Sequence, residues 1–270
     1  MFFWPFSQLE FLEVEIVSPK IAKLAEKEIS APPPLRTAEE KETFQTVLSR
    51  LEIIEWTNIQ RKKYGLPVLK ENSKLNAAAQ AKTEDMFQNQ YFSHYSPSGE
   101  GAGDLAEDFG YEFLTIGENL AMGNFQDNET LVEAWMASVG HRENILSKKY
   151  QEIGVAVQKG IFNGKSVWLA VQHFGLPSSA CLQPSEIIRL QIEQKKQELE
   201  ELQSLLLEIQ TELRTIRPRW GSDYQQKSEE YNNLVERYNN LLIEAEVFIN
   251  QYNAQVQQFN QCVADFALQG

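Results

Sequence analysis

Cysteine is scarce. The 270-residue chain holds two, Cys181 and Cys262, too few for a disulfide-built scaffold or a thiolate zinc cluster. Positive charge is also in short supply: 25 Lys and Arg face 38 Asp and Glu, for a formal net charge of −13. With no surplus of cations to displace phosphate counterions, the composition argues against nucleic acid as a partner and against an anionic membrane surface. No apolar run approaches the roughly 20 residues of a spanning helix, so no transmembrane segment is expected. Only three histidines occur, His94, His141 and His173, and any imidazole chemistry must lie in that middle third. What is plentiful is ordinary: 42% hydrophobic and 23% charged residues exclude disorder over most of the length.

The opening Met1-Phe2-Phe3-Trp4-Pro5-Phe6 is apolar, but it lacks a basic leader and is soon interrupted by Glu10, Glu13 and Glu15. As it stands it is not a signal peptide, although it matches the remnant of one if the chain extends upstream. Phe11 to Val17 alternates weakly, and Pro19 to Ile29 suggests a short helix. Ala31-Pro32-Pro33-Pro34 removes consecutive backbone donors and favours a stiff extended spacer. Residues 1–38 are therefore read as an N-terminal segment with a proline-rich linker.

From Glu39 the pattern turns helical, with Phe44, Val47, Leu48, Leu51, Ile54 and Ile59 at spacings of three to five, until Gly65-Leu66-Pro67 ends it. A second amphipathic helix is expected over Leu75 to Phe92, a loop over Ser93 to Gly103, and a further helix over Leu131 to Ser138. Ile153–Val157 and Val167–Phe174 read as strands around Asn163-Gly164, the strongest hairpin signal in the chain. Residues 39–177 thus read as an α+β domain, helices first and then an antiparallel sheet.

Residues 178–270 change character. Ile188, Ile192, Leu199, Leu202, Leu206, Ile209, Leu213 and Ile216 keep a four-three rhythm, with Lys195 in one seam position, until Pro218 and Gly221 break it. Tyr224, Tyr231, Tyr238, Ala245, Tyr252, Phe259 and Phe266 then recur every seven residues. Two heptad helices around a breaker predict a long antiparallel, coiled-coil-like hairpin, the first helix roughly 48 Å long. A turn near Arg219-Trp220 places residues side by side when their numbers sum to about 440. Cys181 and Cys262 sum to 443 (181 + 262), an axial offset of ~5 Å. A disulfide at the hairpin base fits this geometry and would imply an oxidising compartment; the alternative is two unrelated thiols.

Several middle-region stretches form an ordered set: Asn58-x-x-Arg61, Phe92-Ser93-His94-x-Ser96-Pro97-x-Gly99, Gly117-Glu118-Asn119-Leu120-Ala121, Trp135-x-x-Ser138-x-Gly140-His141-Arg142-x-Asn144, Ile153-Gly154-Val155 and Gln172-His173-Phe174-Gly175. In order and spacing this set resembles the CAP superfamily (cysteine-rich secretory proteins, antigen 5, pathogenesis-related 1), in its bacterial SCP-domain branch. The resemblance implies a three-layer α-β-α sandwich with a cleft lined by two histidines and two glutamates and associated with a divalent metal such as zinc. Carried over, these are His94, His141 and Glu118; Ser138 stands where the second glutamate is usual, and Glu133 should face elsewhere. Two imidazoles and a carboxylate can hold zinc with one position open; Glu118 is then the candidate base, and Ser138 and Asn119 complete a ligand cleft.

The alternatives remain open beside it. His94 and His141 can equally be polar residues satisfying buried loops, and His173 reads as a packed or surface histidine on a face with Leu169 and Val171. Asn58, Arg61, Asn119 and Asn144 read as loop-pinning hydrogen bonders, and Trp135 and Trp168 as core. Three functions follow: a secreted or cell-envelope binding module for a metal or small ligand, a metal-assisted hydrolase of peptide or cell-wall substrates, or an interaction protein acting through its hairpin, with homo-oligomerisation through the same element.

Overall fold

The computed structural model describes residues 27–37 and 47–267. The weakly alternating Phe11 to Val17, most of the short helix suggested over Pro19 to Ile29, and the start of the helix expected from Glu39 fall outside those residues; the described end of that short helix, Glu28 and Ile29, is strand instead. By chain contacts the described residues form two compact units, one over 24–183 with 258–270 and one containing 184–257.

The first unit is a mixed sheet covered by helices on both faces. Its centre is β4 (Phe113–Gly123), β6 (Lys165–Pro177) and β5 (Glu152–Phe162), all antiparallel, and its edges are the short parallel strands β1 (Glu28–Ser30), β2 (Leu35–Arg36) and β3 (Lys70–Glu71). The expected antiparallel sheet is present and is extended by short parallel edge strands. Asn163 and Gly164, both at positive φ (47° and 78°), make the tight β5–β6 turn, the geometry that a two-residue hairpin needs.

One face carries α2 (Ser73–Gln88) and α3 (Ala102–Asp108). Asn72 caps α2, its Oδ1 accepting from the amides of Lys74 and Leu75, which fixes where the helix starts. Gly154 lets α2 approach, since a Cβ there would collide with the Leu75 backbone. Met86, Ala79, Leu120, Leu169 and Val171 pack together on this side. The helix ends at Gln88, so Tyr91 and Phe92 lie beyond it in a loop.

The other face carries α1 (Arg50–Lys63), α4 (Asn128–Ala137) and α5 (Val139–Leu146). Ile53, Leu131, Trp135, Ile145, Ala170 and Phe174 form its core. Residues 47–49 are not helical, so α1 starts later than the hydrophobic pattern suggests. Arg61 pins this layer as expected: Nε donates to the Pro67 carbonyl, and Nη1 to those of Ile145 and Ser147, each at 2.8 Å.

The proline segment differs from the expected spacer. It is flanked by β1 and β2, both paired to β4, so residues 28–36 are the sheet's own edge. After β6 the chain passes a short 3₁₀ turn (Ser178–Ala180), and Cys181 is joined to Cys262 across 81 residues. Around the bridge, Phe259 packs with Leu114 and Leu176.

In the second unit α6 (Glu186–Thr215) runs antiparallel to α7 (Ser222–Ala267) up to residue 257. Ile188 and Ile192 pack with Ile249, Tyr252 and Val256, and Leu199 and Leu202 with Tyr238, Leu241 and Ala245. Leu199 with Leu241 and Leu202 with Tyr238 each sum to 440 (199 + 241, 202 + 238), the predicted register. Lys195 leaves the seam for Glu244, at 2.6 Å, with its ammonium over the Phe248 ring. Among the described residues, no helix is long and apolar enough to cross a membrane.

Candidate functional site

The site is organised by one carboxylate on a central strand. Glu118 lies midway along β4, 0% exposed, directly opposite His173 of β6 in the ladder. Cross-strand partners share a face, and His173 Nε2 donates to Glu118 Oε2 at 2.9 Å. The other oxygen, Oε1, lies 2.5 Å from His94 Nδ1. His94 comes from the loop after α2, and Lys82 shapes that loop: its buried ammonium donates to the His94 carbonyl at 2.6 Å and to the Tyr91 hydroxyl at 3.3 Å. Tyr91 in turn donates to Asp85.

His94 Nε2 meets the Pro32 carbonyl. A carbonyl can only accept, so this nitrogen carries a hydrogen. Burial alone would raise the Glu118 pKa, but hydrogen bonds from His173 and His94, then the charges of His173 and Lys82, outweigh it and hold the group at about 2. Glu118 is therefore an anion, and both His94 nitrogens face acceptors and act as donors. Lys82 is pulled down by its own burial, against the opposing pull of Glu118, Asp85 and Glu100. His173 Nδ1 is buried without a partner, so that ring gives its one hydrogen bond to Glu118.

Asn119, the next residue, turns to the opposite face. There its Nδ2 donates to the His141 carbonyl and to Gln172 Oε1, each at 3.1 Å. Asn144 Nδ2 donates to the Glu118 carbonyl and to Asn119 Oδ1. The His141 ring is held by Ser138, with Nδ1 to Oγ 2.8 Å, while its buried Nε2 has no partner. Its pKa falls from 6.5 to about 4 through burial and repulsion from His94, only partly offset by the Leu120 backbone.

The structure thus joins Glu118 to His94 directly and places His141, Ser138 and Asn119 in an adjoining network. Glu133 is exposed, facing elsewhere as expected. Sequence reasoning missed His173 and Lys82. A lysine within the apolar stripe of α2 was one available signal. For His173 the signal was its pairing with Glu118, hidden because β4 was not read as a strand.

The expected metal set does not fit this arrangement. Glu118 spends both oxygens on imidazoles, His94 spends both nitrogens on Glu118 and Pro32, and only His141 Nε2 is left as a donor. A zinc site needs three or four convergent lone pairs. Among the described residues, no group of three or more His, Cys, Asp and Glu side chains is placed to hold a metal ion. For the same reason Glu118 offers no free oxygen as a base.

The model of the cysteine-rich secretory protein (CAP) family matches residues 54–174. The uncharacterized protein YkwD of Bacillus subtilis (strain 168) is 39% identical over 117 residues, 43% of this chain and 44% of that protein. The uncharacterized membrane protein YlbC of the same organism is 34% identical over 126 residues, 47% of this chain and 36% of that protein. The chain therefore spans less than half the length of these curated relatives. Among solved structures, an extracellular protein containing a SCP domain from Bacillus anthracis is 30% identical with a TM-score of 0.41, over 47% of this chain and 39% of that one. Residues 54–174, which carry the three long strands, their covering helices and the His94–Glu118–His173 group, form a CAP domain of the bacterial type.

Proposed function

We propose that this CAP domain is a binding module working outside the cytoplasm, in which His94 meets the ligand by donating its Nε2 hydrogen to an acceptor oxygen. The observation that carries the reading is the full engagement of Glu118: with both oxygens used, the carboxylate orients His94 and leaves one ring nitrogen directed at an acceptor. A second imidazole on the far oxygen stops the carboxylate from rotating. The Cys181–Cys262 disulfide supports the compartment, because such bonds persist where thiols are not kept reduced. The hairpin's role in this reading is to space the module from its attachment or to pair copies of the chain.

The hydrolase reading gains nothing from the geometry. Ser138 bonds to His141, but the other His141 nitrogen has no carboxylate to orient it, so the logic of a nucleophile, base and orienting acid is incomplete.

Long-range nitrogen–proton spectra of the histidine rings test the proposal. His94 is expected to show hydrogens on both nitrogens, and Glu118→Gln to lose the Nδ1 donor signal. Calorimetric zinc titration is expected to give the same heat from wild type and His94→Ala. A bare Nε2, or zinc binding that disappears with His94, overturns the reading.

A further inference from the structure

We infer that the edge of β4 now covered by residues 28–36 is a receptor for an extended, proline-containing peptide, and that those residues are its tethered occupant. The inference rests on His94 being the ligand donor, as proposed above, and adds the ligand's class.

The strap lies in the site as a bound peptide would. Glu28–Ser30 pair in parallel with Thr115–Gly117, and Leu35–Arg36 with Ala121–Met122. Adding a strand to an open sheet edge is a general mode of peptide capture. Between the two pairings the strap advances five residues (30 to 35) while β4 advances four (117 to 121). The extra residue lifts the chain off β4 opposite Glu118 and sets the Pro32 carbonyl on His94. Where the strap leaves the ladder its amides would lose their partners, and proline has no amide to lose.

Side chains are read on alternate positions. Ser30, Pro32 and Pro34 are half-buried, whereas Ala31 and Pro33 are exposed. Ser30 Oγ donates to Asn144 Oδ1 at 2.9 Å. The Pro32 ring sits over Gly140, where a Cβ would stand 2.6 Å from the proline Cβ; the seat exists because residue 140 has no side chain. Glu28 reaches Lys149 at 3.0 Å, and Leu35 packs on the core beneath. The seat therefore asks for a small hydroxyl, then a proline two residues on, then an apolar side chain three further, all in extended chain. The strap itself buries no side chain fully, so a segment of this kind can open at low cost.

The test uses the full chain and a fluorescein-labelled peptide with the sequence of residues 27–37. A tethered occupant lowers the apparent affinity for a competitor in proportion to its own occupancy. Ser30→Asp with Leu35→Asp, which loosens the strap, is expected to bind the peptide about tenfold or more tighter than wild type. Adding Gly140→Ala, whose methyl takes the proline seat, is expected to reverse that gain. Equal binding by all three proteins overturns the inference, as does no binding by the double variant while its strap amides exchange freely. Should the double variant not fold, His94→Ala supplies the check: exchange at the Ser30 and Leu35 amides is expected to speed up about tenfold, and unchanged exchange overturns the inference. Two ring hydrogens on His94 with no peptide binding would remove the peptide and leave the donor reading standing.

Discussion

The CAP sandwich and the helical hairpin are held together by different means. The sandwich buries Arg61, Lys82, Glu118, His141 and His173, and much of its polar interior is hydrogen-bonded into loops. The hairpin closes along one seam of Ile, Leu, Val and Tyr, with its charged residues on the outside. Buried polar groups are costly unless every partner is in place, so the sandwich concentrates its vulnerability in a few side chains. A seam spreads its vulnerability along its length.

Arg61→Met should test this contrast with the largest effect. It leaves the carbonyls of Pro67, Ile145 and Ser147 without their donor, and is expected to cost about 4 kcal/mol of sandwich stability at ~1–3 kcal/mol per unsatisfied group. Urea denaturation followed by near-ultraviolet signals of the buried tryptophans measures it.

Ile192→Ala, at a fully buried seam position, should cost less, about 2–3 kcal/mol. Its signature is location: hydrogen exchange should rise in α6 and α7 and stay unchanged at Glu118 and His173. Exchange spreading equally through the β4 and β6 amides would dissolve the comparison.

Acid should give the most graded effect. His141 has its pKa lowered from 6.5 to about 4, so the unfolded chain takes the proton first, and this group's stability contribution falls as pH drops from 6.5 toward 4. Glu118, lowered from 4.5 to about 2, adds a second loss of the same sign below pH 4.5. His141→Gln is expected to flatten the upper limb alone, read as urea midpoints between pH 7 and 4.

How much of this was legible follows from the period of each element. Asn163-Gly164 announced its hairpin because few residue pairs adopt two successive positive φ angles. The heptads announced α6, α7 and their register; the register made a Cys181–Cys262 bridge geometrically reasonable beside the reading of two unrelated thiols, and the structure joins them. β4 was silent for a physical reason: Phe113 to Ala121 are all buried, so no inside–outside alternation marks the strand. Without β4 there was no cross-strand neighbour for His173, and it read as packing. The proline strap misled because consecutive prolines signal a break in structure, and sequence alone does not show that a broken strand can still lie on a sheet edge. The metal expectation came from resemblance, and no spacing in this chain supported it independently.

The bridge from Cys181 to Cys262 encloses all of α6 and most of α7 in a covalent ring. A protease that cuts once at the exposed Arg219-Trp220 turn therefore releases nothing. The two fragments travel as one species until a reductant separates them, so loss of the hairpin arm requires a second cut or a change of redox surroundings.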